Sequence, residues 1–338
     1  MALYSGIDLH GNNNVVVLLD DHDRVIYQKR LLNQLPTVLE QLAPYQAEIT
    51  GVVVESTYNW YWLVDGLMEA GYRVHLANPT AMQQYSGLKY TDDHSDARWL
   101  AHLLRLGVLP EGYIYPKEQR PLRDLLRKRG HLVEQQTANV LSIQNIISRN
   151  TGSRLRAEKI KQLNQDEVQM MLSNEDQALA VLSSLRVITC LAEQIKIVEK
   201  RVQSQIKKTS LYELLQSVNG IGPILAQTIL LETGDIRRFS GVGDYASYCR
   251  LVDSEKLSNG KRKGKGNAKS GNKYLSWAYS EAAHFAVRFN PKIQRFFQRK
   301  ASKTKIPVAY KTVAHKLSRA CYHIMHNEVP FDVARAFG

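Results

Sequence analysis

The chain has 338 residues, 44% of them hydrophobic and 23% charged, an ordinary globular composition and enough length for two domains and a connector. Lysine and arginine number 45 against 32 acids, for a net charge of +13; this points to a polyanionic partner, nucleic acid first, since phosphate neutralisation supplies most non-specific affinity. Cys190, Cys249 and Cys321 lie far apart without CxxC spacing, the N-terminus has no signal-peptide pattern, and no apolar run approaches the roughly 20 residues of a membrane span. These features argue against a disulfide framework, a zinc ribbon and membrane attachment, and suit a reducing cytoplasm.

Residues 3–9, 14–20 and 24–29 read as three short strands separated by polar turns. A helix is expected at 35–44, a buried Val-rich strand at 49–55, a helix at 58–70 and a strand at 73–77. A further helix at 94–106 carries Trp99, Leu100, Leu103 and Leu104 as its apolar stripe. This order implies an α/β domain over residues 1–115, a mixed sheet with helices packed on it, laid out like a ribonuclease H-like domain.

Apolar residues then recur at helical spacing from Leu122 to Ile147 and from Leu182 to Val202, with a polar stretch around Thr151 to Asn174 between them. Two long helices forming a hairpin, or pairing with another subunit, are expected over residues 116–208 as a coiled-coil-like connector. Arg120, Arg123, Arg127, Lys128 and Arg129 cluster on the first helix, either as a solvated face or as a nucleic-acid contact.

Residues 209–338 read as a mostly α-helical domain. In Val218-Asn219-Gly220-Ile221-Gly222-Pro223, the Gly-x-Gly between helices resembles a helix-hairpin-helix, with Gly220 and Gly222 letting backbone amides grip a phosphate. A tight turn between packed helices is the plainer alternative. Residues 256–273 hold Lys256, Lys261, Arg262, Lys263, Lys265, Lys269 and Lys273, four glycines and no acid, and read as a flexible basic loop made for a polyanion or as a disordered linker. Residues 288–319 add ten Lys/Arg, again without an acid. The interleaved Phe289, Phe296, Phe297 and Tyr310 are read as core, and the charge as a phosphate-facing surface.

Asp8 lies in an expected buried strand and Glu55 closes another, costly positions for acids without compensation. Asp93 and Asp96 share one face at the head of the 94–106 helix, where Asp92, Asp93 and Asp96 are also candidate caps. Carboxylates suit Mg2+, and on so basic a chain a magnesium site points to phosphodiester chemistry.

Taken in order, Gly6-Ile7-Asp8, Glu55-Ser56-Thr57, Thr91-Asp92-Asp93-His94-Ser95-Asp96-Ala97-Arg98, Gly220-Ile221-Gly222 and Ser258-Asn259-Gly260-Lys261 resemble the DEDD-type transposases of bacterial insertion sequences. That family has a RuvC-like N-terminal domain and includes the bridge-RNA-guided, or seekRNA-guided, recombinases. The resemblance implies that Asp8, Glu55, Asp93 and Asp96 bind Mg2+, Asp93 rather than Asp92 because the family spaces its last two aspartates as D-x-x-D. It implies Ser258 as the nucleophile, ahead of Ser270 and Ser254, although Leu257 and Asn259 depart from the commoner loop pattern. It also implies a covalent phosphoserine link to DNA, phosphate-steadying roles for Lys261 or Lys269, and a homo-oligomer (dimer or tetramer) with a site shared between subunits. Donor and target DNA would pair with a structured RNA, in the cytoplasm at the nucleoid. A metal-and-water junction nuclease and a non-catalytic nucleic-acid scaffold are the competing readings.

Overall fold

A computed structural model describes residues 1–82, 92–206, 210–253, 255–265 and 270–338, with only the backbone at 255–257, 262 and 265. Ser254, Lys269 and Thr91 lie outside the described residues, and the side chains of Lys256, Arg262 and Lys265 are not described. The chain forms two compact units, Met1–Lys117 and Glu118–Gly338.

The first unit is built on β1 (Leu3–Leu9), β2 (Asn13–Leu19), β3 (Val25–Leu32), α1 (Leu35–Leu42), β4 (Ile49–Glu55), α2 (Tyr61–Glu69), β5 (Val74–Ala77), α3 (Pro79–Met82) and α4 (Asp93–Arg105). One mixed sheet has the order β3-β2-β1-β4-β5, antiparallel across β3, β2 and β1 and parallel across β1, β4 and β5. The continuous apolar runs of β2 and β4 follow from burial on both faces. Ile7, Leu9, Val16, Leu18, Val52 and Val54 face α1 and α2. Val15, Val17 and Leu19 face Ala97 and Ala101 of α4. Trp99, expected on the apolar stripe, instead stacks on His102, while the small Ala97 and Ala101 face the sheet.

The second unit opens with α5 (Arg120–Thr151), α6 (Ala157–Ile160), α7 (Gln165–Met171) and α8 (Glu175–Gln205). The long helices α5 and α8 run antiparallel. Their register is fixed by Arg129 to Glu199 at 2.8 Å, Gln136 to the Ile188 carbonyl at 3.3 Å and Gln177 to Asn150 at 3.0 Å. The polar stretch expected to reverse the chain does so with α6 and α7, whose Ile160 and Val168 pack on the hairpin. One window of α8 is long and apolar enough to span a membrane by length and composition alone. Its apolar excess has a packing cause in part: Val181, Ile188, Ile195 and Val202 are buried.

The basic cluster on α5 is neither a solvated face nor a free anion site. Arg120 and Arg123 are buried, Arg129 pairs with Glu199, and Arg127 makes a bidentate pair at 2.6 and 2.7 Å with Glu232, which is only 2% exposed. Lys128 alone of the five is exposed.

The remaining elements are α9 (Ser210–Gln216), α10 (Pro223–Thr233), α11 (Val242–Tyr248), β6 (Glu255–Ser258), β7 (Lys261–Lys265), α12 (Lys273–Phe289), α13 (Pro291–Ala301), α14 (Ile306–Asn327) and α15 (Val333–Phe337). Their core centres on Tyr245, Tyr279, Ala282, Ala286, Val313 and Leu317. Phe296 is buried and Phe297 and Tyr310 pack against the same core, but Phe289 is 63% exposed beside Phe285.

Candidate metal and nucleic-acid sites

The geometry starts from strand register. β1 and β4 pair in parallel, Gly6 with Val53 and Ile7 with Val54, so the next step sets Asp8 beside Glu55 on the same face and at the same sheet end. That face is covered by α4, which comes unusually close at Gly6: a Cβ there would lie 2.0 Å from the Ala97 carbonyl oxygen and 2.7 Å from the Ala101 nitrogen. Glycine is therefore required for contact, and the close approach brings the first turn of α4 over the two strand carboxylates.

Within that turn the three aspartates divide their work. Asp92 is the N-cap, its carboxylate accepting the Ser95 amide at 2.7 Å while the Ser95 hydroxyl accepts the Asp92 amide at 2.7 Å. Asp93 accepts from Arg30 Nη2 at 2.5 Å and lies 3.4 Å from His10 Nε2, which is 3.1 Å from Asp8. Asp8, His10 and Asp93 form a candidate metal-ligand group, with one donor atom from each lying within 4.8 Å of the others.

The electrostatics show the strain of this crowding. Burial pushes the Glu55 carboxyl up to about 7, and its hydrogen bond with Asp8 and the charges of Asp8 and Asp96 push in the same direction. Asp96 is raised by burial and by the charges of Asp8, Asp93 and Asp92. Asp93 moves the other way, held low first by its hydrogen bond from Arg30. Asp8, Glu55, Asp93 and Asp96 thus come together. His10 and Arg30 join them unannounced by the sequence reading, although two signals were present. His10 is two residues from Asp8, hence on the same strand face, and Arg30 occupies the same cross-strand row through Val15.

The other candidate residues lie in the second unit. The expected basic loop is, over residues 255–265, a two-stranded ribbon in which Ser258 pairs with Lys261 across Asn259 and Gly260. Their φ values of 51° and 69° suit a two-residue hairpin turn of type I′. Ser258, Lys261 and Lys263 are exposed. The ribbon returns to the helical core through Ser270 and Gly271, and then Asn272 caps α12 and donates to Glu232 at 2.7 Å. Lys273 begins that helix with its Nζ over the Tyr274 ring. Gly220 has φ 92°, and a Cβ there would lie 2.3 Å from the Ala282 carbonyl oxygen, so its absence of a side chain serves packing against α12. Gly222 is exposed at the N-terminus of α10.

Two family models match these two regions. Residues 5–150 match the IS110 DEDD transposase model and residues 212–298 the model described as "Transposase IS116/IS110/IS902 family", together more than half of the 338 residues. The chain belongs to the IS110/IS116 transposase family. A "Probable family 20 transposase" of Pseudomonas aeruginosa is 23% identical over 84% of this chain and 83% of its own length. The "Transposase for insertion sequence element IS1111A" of Coxiella burnetii is 22% identical over 96% of this chain and 87% of its own. This transposase is accordingly a DNA-acting enzyme, with the acid cluster inside the first matched region and Ser258 inside the second.

Proposed function

We propose that this transposase cuts and rejoins DNA with a divalent metal, Mg2+, held by Asp8, Glu55, Asp93 and Asp96, and with Ser258 as nucleophile. The observation that carries the reading is the convergence of four carboxyls on one sheet end, two of them raised by burial and mutual repulsion. Such a cluster is costly until a cation neutralises it, and its oxygen donors suit a hard ion. When bound, the ion would polarise the phosphate and stabilise the departing oxygen. The strand order and the helix over the acid-bearing face support a ribonuclease H-like first domain.

In this reading the Ser258 Oγ attacks phosphorus. An Oγ–P bond forms, one P–O bond to deoxyribose breaks, the serine proton passes to solvent and the departing oxygen takes one up. The phosphoserine link preserves the bond energy, and attack by a strand hydroxyl reverses the exchange and frees the serine. Lys261, the ladder partner of Ser258, steadies the phosphate, with Lys263, Lys273 and the exposed Gly222 turn as further backbone contacts. The acids and the serine lie in different units, and the proposal unites them across subunits of a homo-oligomer. Sequence choice falls to a structured RNA pairing with donor and target DNA, an arrangement suited to a chain of net charge +13.

A junction nuclease that uses metal and water is the second reading, favoured by one observation: the acid set is complete within the first unit. Trapping labelled DNA on the protein in denaturing gels separates the two. Ser258→Ala should abolish the covalent adduct and lower strand transfer by about a thousandfold or more. An adduct that survives the substitution overturns the serine assignment, and strand cleavage by the unmodified enzyme without any adduct favours the nuclease.

A further inference from the structure

His10 is the one nitrogen donor facing the carboxylates among the described residues of the candidate metal group, and its position is built rather than incidental. Its backbone is clamped from three sides. The amide donates to the Asn13 carbonyl at 2.9 Å, and its carbonyl accepts from Asn33 Nδ2 and Asn59 Nδ2, both at 3.0 Å. Those asparagines come from the segments after β3 and β4, so two separate parts of the fold hold the ring over the acids.

Its Nε2 is sealed from solvent and lies 3.1 Å from Asp8 and 3.4 Å from Asp93, yet makes no well-directed hydrogen bond with either. These spacings also match those of neighbouring ligand atoms around one ion. Two donors at right angles around an ion, each about 2.1 Å from it, stand about 3 Å apart. Asp8, itself nearly fully buried, leaves little room for solvent on that side.

We infer that His10 is a nitrogen ligand of the metal site, making it a mixed N/O centre that favours a transition-metal ion such as Mn2+ over Mg2+. The inference rests on the proposed carboxylate metal site, adds a nitrogen ligand to it and moves its preferred ion from Mg2+ to Mn2+. Imidazole nitrogen suits transition metals, whereas Mg2+ takes hard oxygen donors and keeps its waters.

The test uses the full chain loaded with Mn2+ and read by pulsed electron paramagnetic resonance for 14N modulation, with metal affinities from calorimetry. The unmodified protein should show directly coupled nitrogen. His10→Gln should lose it, weaken Mn2+ binding by about tenfold or more, and change Mg2+ binding by less than about threefold, with its circular dichroism melt unchanged. Bound Mn2+ without nitrogen coupling, or coupling that persists in His10→Gln, overturns the His10 assignment. If such binding is lost in Asp8→Asn, the carboxylate site itself still stands. Failure of the unmodified protein to bind Mn2+ or Mg2+ at all overturns the metal site and the His10 assignment together.

Discussion

At the scale of the residue, the acid cluster trades stability for a cation site. A carboxyl whose pKa in the fold lies above its unfolded value penalises the fold at pH values above both. The penalty fades as pH falls from the folded value, here about 7 for Glu55, towards the ordinary carboxylate range. Asp93 has the opposite sign: the Arg30 bond holds its pKa low, and its contribution is present at neutral pH and lost in acid. Glu55→Gln should therefore raise the melting temperature of the metal-free protein at pH 8 by about 4 °C, the scale of roughly 1 kcal/mol in a unit the size of Met1–Lys117. At pH 5 most of the gain should be gone, and the rest should disappear below the ordinary carboxylate value, where the unfolded Glu55 is protonated too. The same variant should lose most of the stabilisation that added divalent metal gives the unmodified chain. Scanning calorimetry at the two pH values, with and without metal, checks both arms; a gain that is equal at pH 8 and pH 5 would remove the electrostatic explanation. The acids at the head of α4 were legible as a group in the sequence, but the division between Asp92 as cap and Asp93 as site residue depends on the Ser95 hydrogen bonds and on Arg30 reaching across from β3.

At the scale of the element, α4 delivers two acids only because Gly6 lets it lie against β1. A methyl group at Gly6 meets helix backbone, which cannot swing aside as a side chain would. Gly6→Ala should cost about 1–3 kcal/mol and, by lifting α4, weaken divalent-metal binding without touching a ligand. Thermal melts and metal titrations of this variant provide the check; intact metal affinity would uncouple the packing from the site. The strands and helices of the first unit were readable because alternation in β1 and apolar runs in β2 and β4 are local signals, and their ends fall within a few residues of expectation. The ribbon at 255–265 was hidden by its lysines and glycines, which depress strand propensity, although Asn259-Gly260 is itself a two-residue hairpin signal. The buried arginines of α5 were beyond local reading altogether. Arg127 and Arg129 are satisfied by Glu232 and Glu199, 105 and 70 residues away along the chain, and only the folded unit brings those acids into place.

At the scale of the whole molecule, the net charge of +13 overstates how much cation is free for nucleic acid. Arg127 and Arg129 are tied to internal acids, and Arg120 and Arg123 are buried. The exposed charge is carried instead by places such as the ribbon, where Lys261 and Lys263 follow the Asn259-Gly260 turn on the strand paired with the one ending at Ser258. A turn of this kind presents its cations in a fixed geometry, whereas a loose basic linker would spread them over many conformations and lose entropy on binding. Each phosphate neutralised on B-DNA contributes about 0.9 to the slope of log affinity against log salt. Replacing Lys261 and Lys263 together by Ala should therefore lower affinity for duplex DNA and flatten that slope by about 2, while leaving the melting temperature within about 2 °C because neither side chain is buried. Fluorescence anisotropy over a salt series measures both quantities. An unchanged slope in a stable variant would mean that these lysines do not face phosphates, and the contacts would then have to be sought among the exposed cations of α13 and its following turn, Lys292, Arg299, Lys300 and Lys303.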